Sequence, residues 1–351
     1  MGHGRCVVLI YPMWHRVSFS LIAEKHIEEL KKYLPVYAID ELALGGLYPH
    51  SNPLLVLHPF FYPIQKYAKR LQRLLMNVRG IVGIDVADSD KISNLAVCMT
   101  HYAEAIIVPS SWARNVYINS GVKIPVHILP HGVDKEWFNT PIQLTIFKKL
   151  YDLKLSRELV YLLFFCWHSE WRKGLDLVLK TYKILRKERK DIVLIAKFMT
   201  PNGEPHNIIR KLGGIIVSGW LNEEQKRELY DIADIYLLFS RGGGFELNGL
   251  EALVRGNVVL AADKGSWIDY MPHFGLLPSR ECPYVLKDNP IHCGKGYEII
   301  VEKAVDKICE IADNLDEYKA KVKEHVEKRL RTEFTWESIG RRLAEILRLY
   351  L

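Results

Sequence analysis

Short runs of apolar residues alternate along the chain with longer segments in which apolar residues recur every three to four positions. The short runs predict buried β-strands, and the longer segments predict amphipathic α-helices. In the first half, strands are predicted over Val7–Tyr11, Val36–Ile39, Leu54–Leu57, Gly80–Ile84, Ala105–Val108 and Val126–Leu129. Helices are predicted between them over Phe19–Tyr33, Pro63–Val78, Lys91–Tyr102 and Ser111–Ser120.

The same pattern starts again after an irregular, lysine-rich segment, Asn139–Glu158, which we interpret as a linker. The strands predicted in the second half are Leu159–Phe165, Ile192–Lys197, Ile215–Val217, Ile235–Phe239 and Val258–Ala262. The helices are Gly174–Arg186, Glu223–Ile232, and the C-terminal segments Tyr297–Asn314, Tyr318–Phe334 and Trp336–Tyr350. Regular alternation of strand and helix predicts α/β domains with parallel sheets.

A chain of 351 residues is too long for one ordinary core. We therefore predict two doubly wound, Rossmann-like domains, residues 1–150 and 151–333, with a last helix over 334–351 packing back toward the first domain. Ligands of such sheets bind at the carboxyl ends of the strands. If the two domains face each other, the cleft between them is the expected active site.

The composition narrows the class of protein without naming a function. Hydrophobic residues make up 49% and charged residues 25%, as in ordinary globular proteins, and no apolar run approaches the roughly 20 residues of a membrane span. The N-terminus lacks the features of a signal peptide, and the six cysteines include no Cys-x-x-Cys pair. We expect a cytoplasmic protein with no metal site. The net charge of +7 favours an anionic partner, which charge alone leaves open between nucleic acid, an anionic membrane and a nucleotide.

The segment with the clearest chemistry is the glycine run Gly242 to Gly244, which precedes a predicted helix carrying Glu251. A glycine run at a helix start presents backbone N–H groups and a partial positive charge to a phosphate. A carboxylate one turn into the helix can accept hydrogen bonds from sugar hydroxyls. The segment therefore predicts a sugar–phosphate ligand, although a merely flexible loop would contain glycines too.

Several motifs, taken in their order along the chain, resemble those of a known family. The motifs are Ala103–Ser110, Ser111–Arg114, Ser120–Val122, Val126–Asp134, Arg172–Asp176, Val217–Leu221 and Phe334–Glu337. With the glycine segment, they resemble the retaining glycosyltransferases of the GT-B fold, the group 1 enzymes typified by sucrose and glycogen synthases and by bacterial and archaeal mannosyl- and glucosyltransferases. The resemblance covers about residue 80 to the C-terminus.

The resemblance implies roles for residues in the second domain. Lys173 would bind the diphosphate of a nucleotide sugar, and Arg172 is a weaker candidate because neighbours at a helix start point apart. His168 would donate to a phosphate if it is protonated, and the alternative is a structural histidine. Glu251 would accept the ribose hydroxyls. The donor site would further include Gly219, Trp220 and Leu221 around the nucleobase, and Gly243, Gly244, Phe245, Glu246 and Leu247 around phosphate and hexose. The structural alternatives are a solvated lysine and an exposed helical glutamate.

The chain departs from the family pattern at two places. The family has a pair of glutamates separated by seven residues, but counting back from Glu251 leads to Gly243. Glu246, where the family often has glycine, is our candidate to replace the missing contact with the donor sugar. The family also tends to have an arginine five positions before the lysine, where this chain has His168.

On the acceptor side, the sequence offers a group of aspartates after strand Gly80–Ile84. Asp88 is our first choice for the catalytic group and Asp85 the second, because clustered carboxylates raise one another's pKa. The alternative is that Asp88 or Asp90 caps the following helix.

The predicted helix Pro63–Val78 carries a basic face formed by Lys66, Lys69, Arg70 and Arg73, together with Arg79 just after it. Such a face suits an anionic membrane with a lipid-linked acceptor, or simply a surface helix packed on its apolar side. No nucleic-acid-binding module is visible.

Together these features predict a retaining, metal-independent hexosyltransferase that needs no cofactor and uses a nucleotide-diphosphate sugar, UDP- or GDP-linked, and a hydroxyl acceptor. The missing first glutamate leaves two alternatives. One is a non-catalytic nucleotide-sugar-binding subunit, and the other is a nucleotide-sugar epimerase or hydrolase.

Overall fold

The computed structural model describes residues 6–46, 52–139 and 158–351. The predicted linker Asn139–Glu158 and the domain boundary at residue 150 therefore lie almost wholly outside the described residues.

Fourteen strands are present in the described part of the chain. They are β1 Val7–Tyr11, β2 Val36–Asp40, β3 Leu54–Leu57, β4 Gly80–Ile84, β5 Ala105–Val108, β6 Val126–Ile128, β7 Val160–Cys166, β8 Ile192–Phe198, β9 Ile215–Ser218, β10 Ile235–Leu238, β11 Val258–Ala262, β12 Leu276–Leu277, β13 Ser279–Cys282 and β14 Gly296–Ile299.

The α-helices connect most of these strands. They are α1 Ser18–Leu30, α2 Phe61–Leu74, α3 Asn94–Thr100, α4 Ser111–Ser120, α5 Glu170–Lys173, α6 Leu175–Glu188, α7 Glu204–Lys211, α8 Glu223–Ile232, α9 Leu247–Val254, α10 Val301–Asp313, α11 Leu315–His325, α12 Arg331–Glu333 and α13 Trp336–Arg348. Short 3₁₀ helices cover Glu41–Gly46, Lys135–Phe138 and His273–Gly275, and a π-helical turn covers Val326–Leu330. In the described residues, no helix is both long and apolar enough to span a bilayer.

Two six-stranded sheets with parallel strand pairs organise the molecule, in the orders β2-β1-β3-β4-β5-β6 and β12-β11-β10-β7-β8-β9. Strands such as β1, β3 and β11 are buried along their whole length, because helices cover both faces of a parallel sheet. This architecture confirms the predicted pair of doubly wound α/β domains.

The chain divides into two compact units. The first comprises Met1–Gly132, Leu286–Gly294 and Glu333–Leu351, and the second comprises Val133–Val285 and Lys295–Thr332. The last helix, α13, thus belongs to the first unit, where it packs on α1. Its Gly340 leaves no room for a side chain, since an added Cβ would lie 2.2 Å from Cβ of Glu29.

The sequence analysis misplaced one C-terminal element and missed two helices. Residues 297–299, predicted as helix, lie in strand β14, which pairs with β13 in an antiparallel ribbon outside the main sheets. The reason is that this strand is specified by its partner, whereas the local pattern continues the apolar spacing of helix α10. Helices α5 and α7 are too short, at four and eight residues, for a periodic signal.

Helix α2 uses its apolar side for packing. Phe61, Ile64, Leu71 and Leu74 are buried in the core of the first unit, while its basic side chains are exposed. This packing accounts for the apolar positions of the helix. Contact with an anionic membrane and a cytoplasmic location stay predictions.

Three histidines lie together in the first unit beside Trp336. The ring centroid of His26 lies 5.6 Å from that of His58 and 6.4 Å from that of His131. Burial lowers the pKa of His26 to about 4. Burial and the neighbouring His26 lower the pKa of His131 to about 3. Burial also holds the pKa of His58 well below its usual value. All three imidazoles are therefore neutral at pH 7.

This cluster predicts acid-sensitive stability. An unfolded histidine has a pKa of about 6.5, so below that pH the unfolded chain binds protons that the folded chain does not bind. Each such histidine contributes stability that is complete above pH 6.5 and is lost, at up to about 1.4 kcal/mol per pH unit, as the pH falls toward the folded-state value. The midpoint of urea denaturation should therefore drop between pH 7 and pH 5, and His26→Phe should drop less steeply.

The control is His101→Phe, which replaces an exposed histidine of the same unit. A wild-type midpoint that does not change over this pH range would contradict the assignment of neutral, buried histidines.

Candidate functional site

The second sheet reverses its direction of winding between β7 and β10. From β7 the chain builds outward through β8 and β9, and it then crosses to build β10, β11 and β12 on the other side. The loops that follow β7 and β10 therefore lie side by side at the carboxyl edge, where doubly wound sheets bind ligands. The backbone N–H of Arg241, after β10, donates to the carbonyl of Arg172, after β7, at 2.8 Å.

Two cations and one carboxylate meet where these loops touch. Lys173 Nζ lies 2.5 Å from Glu246 Oε2, and Arg172 Nη1 lies 2.9 Å from Glu246 Oε1. The expectation that Arg172 and Lys173 point apart is thus wrong, since both converge on one carboxylate. The turn at Gly174 explains this, because it ends α5 directly after Lys173 and lets the two side chains curl toward the loop after β10.

The charges in this group shift one another's pKa. Burial and the neighbouring Arg172 lower the pKa of Lys173, although Glu246 opposes them. Burial favours the protonated form of Glu246, but Lys173 and Arg172 outweigh it, and the pKa of Glu246 lies below its usual value. The three side chains are only 13%, 18% and 4% exposed for Arg172, Lys173 and Glu246. One anion therefore faces two cations in a partly dehydrated site, and the excess positive charge can bind a further anion.

Lys173 is the last residue of the four-residue helix α5 and lies two positions before the first residue of α6. The next residue, Gly174, has φ of +74°, and a Cβ there would lie 2.1 Å from the carbonyl oxygen of Phe239. Only glycine allows this close approach of the two loops.

Glu246 occupies the space that a side chain at position 243 would need. A Cβ on Gly243 would lie 2.2 Å from Glu246 Oε1. Glu246 itself has φ of +61°, a left-handed conformation that suits the glycine found there in the resembled family. The carboxylate thus sits beside Gly243, although it is carried by a residue three positions later.

The glycine loop is anchored rather than flexible. Ser266 Oγ donates to the carbonyl of Gly243 at 2.6 Å, and Tyr270 Oη donates to the carbonyl of Glu246 at 2.7 Å. Phe245 is buried and lies against Tyr270, with ring centroids 5.1 Å apart. Gly244 and Leu247, which complete the predicted donor-site residues of this loop, are half-buried.

Arg241 holds the surrounding elements together and escaped the sequence analysis. It binds both carboxylate oxygens of Asp176, at 2.7 and 2.9 Å, and Glu298 Oε2 at 2.8 Å. It also donates to the carbonyl of Trp171 at 2.7 Å and lies 3.5 Å from the centre of that ring. A lone arginine before a glycine run gives no sequence signal of this kind, because its partners are distant in the chain.

Glu251 is buried between helices α9 and α8. Its carboxylate lies 2.5 Å from Lys226 Nζ and accepts a hydrogen bond of 3.0 Å from Tyr230 Oη. Burial, together with Glu223, raises the pKa of Glu251 despite the nearby Lys226. The alternative of an exposed helical glutamate is wrong.

Two exposed tryptophans, which follow β7 and β9, lie near a buried lysine inside β8. Trp167 and Trp220 are 37% and 58% exposed, and their rings meet nearly at right angles with centroids 5.7 Å apart. Lys197 Nζ lies 4.2 Å from the centre of the Trp167 ring, and burial, with the charge of Lys226, lowers the pKa of Lys197 to about 8. A lysine inside the apolar strand β8 was a sequence signal for Lys197 that the analysis missed.

The other residues predicted around the nucleobase and phosphate lie close by in the chain. Gly219 has φ of +86°, and its N–H donates to the carbonyls of Phe198 and Met199. Leu221 is half-buried. His168 is exposed, and its Nδ1 shares a hydrogen bond of 2.8 Å with Ser169 Oγ.

In the first unit, backbone hydrogen bonds hold the carboxylate of Asp85 in place. Its buried carboxylate accepts hydrogen bonds from the backbone N–H groups of Phe60, Phe61 and Val86 at 2.8 to 2.9 Å. Two of these groups lie at the start of α2, so Asp85 fixes that helix end. Burial, rather than other carboxylates, is the main cause that raises the pKa of Asp85.

Asp88 is half-buried at the same edge of the sheet, and its backbone N–H faces Nδ1 of His292 at 3.4 Å. His292 comes from the distant segment Leu286–Gly294 and was missed by the sequence analysis. Ser93, not Asp88 or Asp90, caps α3 by accepting a hydrogen bond from Ala96. The proposed capping role for the aspartates is therefore wrong. The described residues contain no group of three or more histidine, cysteine or acidic side chains that could hold a metal ion.

Sequence comparisons place this site in a known family. The family model "Glycosyl transferases group 1" matches residues 160–277, which span the loops after β7 and β10. "Uncharacterized protein 356" of Sulfolobus islandicus rod-shaped virus 1 is 34% identical over 99% of both chains. "Putative glycosyltransferase 45" of Sulfolobus islandicus filamentous virus is 26% identical over 53% of this chain and 50% of its own length.

Solved structures share the fold. Anabaena Alr3699/HepE in complex with UDP and glucose superimposes with a TM-score of 0.72 at 15% identity, covering 98% of this chain and 100% of that one. Sucrose-phosphate synthase from Thermosynechococcus elongatus superimposes with a TM-score of 0.68 at 13% identity over 98% of both chains. Residues 160–277 therefore match the group 1 glycosyl transferases, and the whole chain has the GT-B fold.

Proposed function

We propose that this glycosyltransferase moves a hexose from a nucleotide-diphosphate sugar to a hydroxyl acceptor with retention at the anomeric carbon. The bond between the anomeric carbon and the diphosphate oxygen breaks, and a bond from the acceptor oxygen to the same carbon forms on the same face. The acceptor proton passes to the departing diphosphate oxygen. The proposed reaction needs no oxidant, reductant or cofactor.

The observation that carries this proposal is the convergence of Arg172 and Lys173 on Glu246. Two cations at a switch point, with 13% and 18% of their side chains exposed, suit a ligand with more than one negative charge. Negative charge develops on the departing phosphate, and preorganised donors of this kind stabilise it, which commonly accounts for most of the rate enhancement in such reactions. Because these cations supply the charge, we expect transfer to proceed without a divalent metal ion.

Glu251 and its neighbours suit the ribose of the donor. A buried carboxylate held by Lys226 and Tyr230 has a fixed orientation, so it can accept hydrogen bonds from two adjacent hydroxyls. Trp167 and Trp220 provide exposed aromatic faces for the nucleobase near Gly219. We infer a UDP-linked donor first, since HepE was crystallised with UDP-glucose, and a GDP-linked donor second.

Glu246 is proposed to replace the glutamate missing at Gly243, since its carboxylate fills the space beside that glycine. On the acceptor side, Asp88 is proposed to accept the hydrogen bond of the attacking hydroxyl. Asp85 is a weaker choice, because three backbone N–H groups already bind its carboxylate.

The function is tested by incubating the protein with radiolabelled UDP-glucose and GDP-mannose, with and without glycan acceptors. Acceptor-dependent nucleotide release supports transfer. Release without acceptor indicates a hydrolase, and binding without turnover indicates a non-catalytic subunit. Activity that disappears on chelation with EDTA would contradict metal-independent transfer.

Lys173→Ala should lower kcat for nucleotide release by about 100-fold or more, because it removes a preorganised cation beside the departing phosphate. The measurement is the initial rate at saturating donor. Lys183→Ala, at an exposed position of α6, is the matched control and should keep the wild-type rate. Full turnover in the Lys173 variant would remove our main catalytic assignment.

Glu251→Gln should raise the Kd of UDP about tenfold, because a charged hydrogen-bond acceptor for the ribose is lost. Calorimetry with 2′,3′-dideoxy-UDP provides the internal control, since this ligand lacks both hydroxyls. Wild type and variant should bind it equally. An equal loss for both ligands would show that Glu251 supports the fold of the site rather than the ribose contact.

The exchange of positions 243 and 246 gives a third test. Gly243→Glu alone should abolish nucleotide release, because its Cβ would lie 2.2 Å from Glu246 Oε1. Adding Glu246→Gly removes the clash and restores the glutamate order of the resembled family, so the double variant should recover about tenfold in rate over the single one. If the double variant is no faster, the two positions do not share one role.

A further inference from the structure

Glu246 has an unusual backbone for a residue that begins a helix. It is the N-cap residue of α9 and has φ of +61° and ψ of +59°, whereas N-cap residues ordinarily have an extended backbone. Its side chain makes no capping hydrogen bond to the helix. A residue with a side chain is strained in this left-handed region, so the surrounding structure must hold it there.

Two donors hold the carbonyl group of Glu246. The backbone N–H of Gly249 donates to it at 2.9 Å, and Tyr270 Oη donates to it at 2.7 Å. The first bond belongs to the backbone of α9. The second comes from a side chain 24 positions later in the chain. Tyr270 therefore fixes the orientation of the peptide group after Glu246 from outside the helix.

Several contacts hold Tyr270 itself in place. Its side chain is fully buried, and its ring centroid lies 5.1 Å from that of Phe245. His325 Nε2 donates to the backbone carbonyl of Tyr270 at 2.8 Å. Burial, together with the charge of Glu246, raises the pKa of Tyr270 well above its usual value, so the hydroxyl keeps its proton and remains a donor.

Gly249 makes room for the tyrosine hydroxyl. A Cβ at this position would lie 2.6 Å from Tyr270 Oη and 2.8 Å from Cδ2 of Leu238. A glycine inside a helix lowers stability relative to alanine. Here the missing side chain lets the hydroxyl of Tyr270 reach the carbonyl of Glu246.

The backbone conformation of Glu246 sets the direction of its side chain. In the observed conformation the carboxylate reaches Lys173 Nζ at 2.5 Å and Arg172 Nη1 at 2.9 Å. With the extended backbone that is usual for an N-cap, the Cα–Cβ bond points elsewhere and the side chain can cap α9 instead. Because a carboxylate on both cations weakens their attraction for a further anion, its position controls how strongly the site binds a diphosphate.

We propose that Tyr270 is a positioning residue, whose hydroxyl holds Glu246 in the left-handed conformation and thereby keeps the carboxylate on Lys173 and Arg172. The carboxylate held there limits the affinity of the two cations for a free diphosphate and so favours release of the nucleotide product. That the diphosphate belongs to a nucleotide sugar rests on the proposed function. The position of the carboxylate does not.

The first measurement needs no ligand. Crystal structures of the wild-type chain and of Tyr270→Phe, which keeps the ring and removes the hydroxyl, should differ at Glu246. In the variant, the carboxylate of Glu246 should lie more than about 4 Å from Lys173 Nζ, beyond the range of an ion pair.

The second measurement is calorimetry with UDP. Tyr270→Phe should bind UDP about threefold more tightly than wild type, and Glu246→Gln about tenfold more tightly, because a competing negative charge is moved or removed. The double variant should bind like Glu246→Gln alone, since Tyr270 acts through Glu246. A merely structural role for Tyr270 would instead weaken binding.

Tyr182→Phe is the matched control. It removes the hydroxyl of another fully buried tyrosine of the second unit, which donates to the carbonyl of Leu212 at 3.3 Å. This variant should leave both the conformation of Glu246 and the affinity for UDP unchanged.

A Tyr270→Phe structure in which Glu246 keeps its left-handed conformation and its contact with Lys173 overturns the proposal. The proposal is also overturned if Tyr270→Phe weakens UDP binding, leaves it unchanged, or shifts it by the same factor in the Glu246→Gln background. Wild-type protein that binds no UDP contradicts the proposed function, and the crystal structures then still decide whether Tyr270 positions the carboxylate.

Discussion

The carboxylate of Glu246, held between Lys173 and Arg172, is the interaction on which the candidate site depends. Burying any one of these charges alone would cost several kcal/mol, and only their mutual attraction makes the group tolerable. The group nevertheless keeps an excess of positive charge at the edge of the sheet. A ligand with two phosphates meets that excess, whereas a neutral ligand does not.

The elements around this group are arranged to keep the cations in place. Arg241 joins α5, α6 and β14 through Trp171, Asp176 and Glu298, and the absence of a side chain at Gly174 lets the two loops touch. The first unit follows the same rule of winding, since its sheet changes direction between β1 and β3. A polar group again lies at the carboxyl ends of the strands, where Asp85 fixes the start of α2.

The sequence predicted the elements whose signal is local. Strands β1, β3, β4, β5 and β11 have the predicted bounds, because residues buried on both faces form continuous apolar runs. The glycine segment and Glu251 were found for a similar reason, since a run of glycines indicates a turn or a close backbone approach without knowledge of its tertiary contacts. The local signal failed for α5, which is one turn long, and for β14, whose partner strand lies fourteen residues or more away in the chain.

The sequence by itself determined two α/β domains, and it pointed to the glycine loop after β10 and to Lys173 as candidate site residues. Only the tertiary structure decided that Arg172 and Lys173 share Glu246, that Glu251 is buried against Lys226, and that Asp85 anchors a helix while Asp88 stays half-buried. The physical reason is one of range. Periodicity and glycine act through neighbouring residues, whereas an ion pair or a buried carboxylate is defined by side chains that the sheet topology brings together from 25 to more than 70 positions apart.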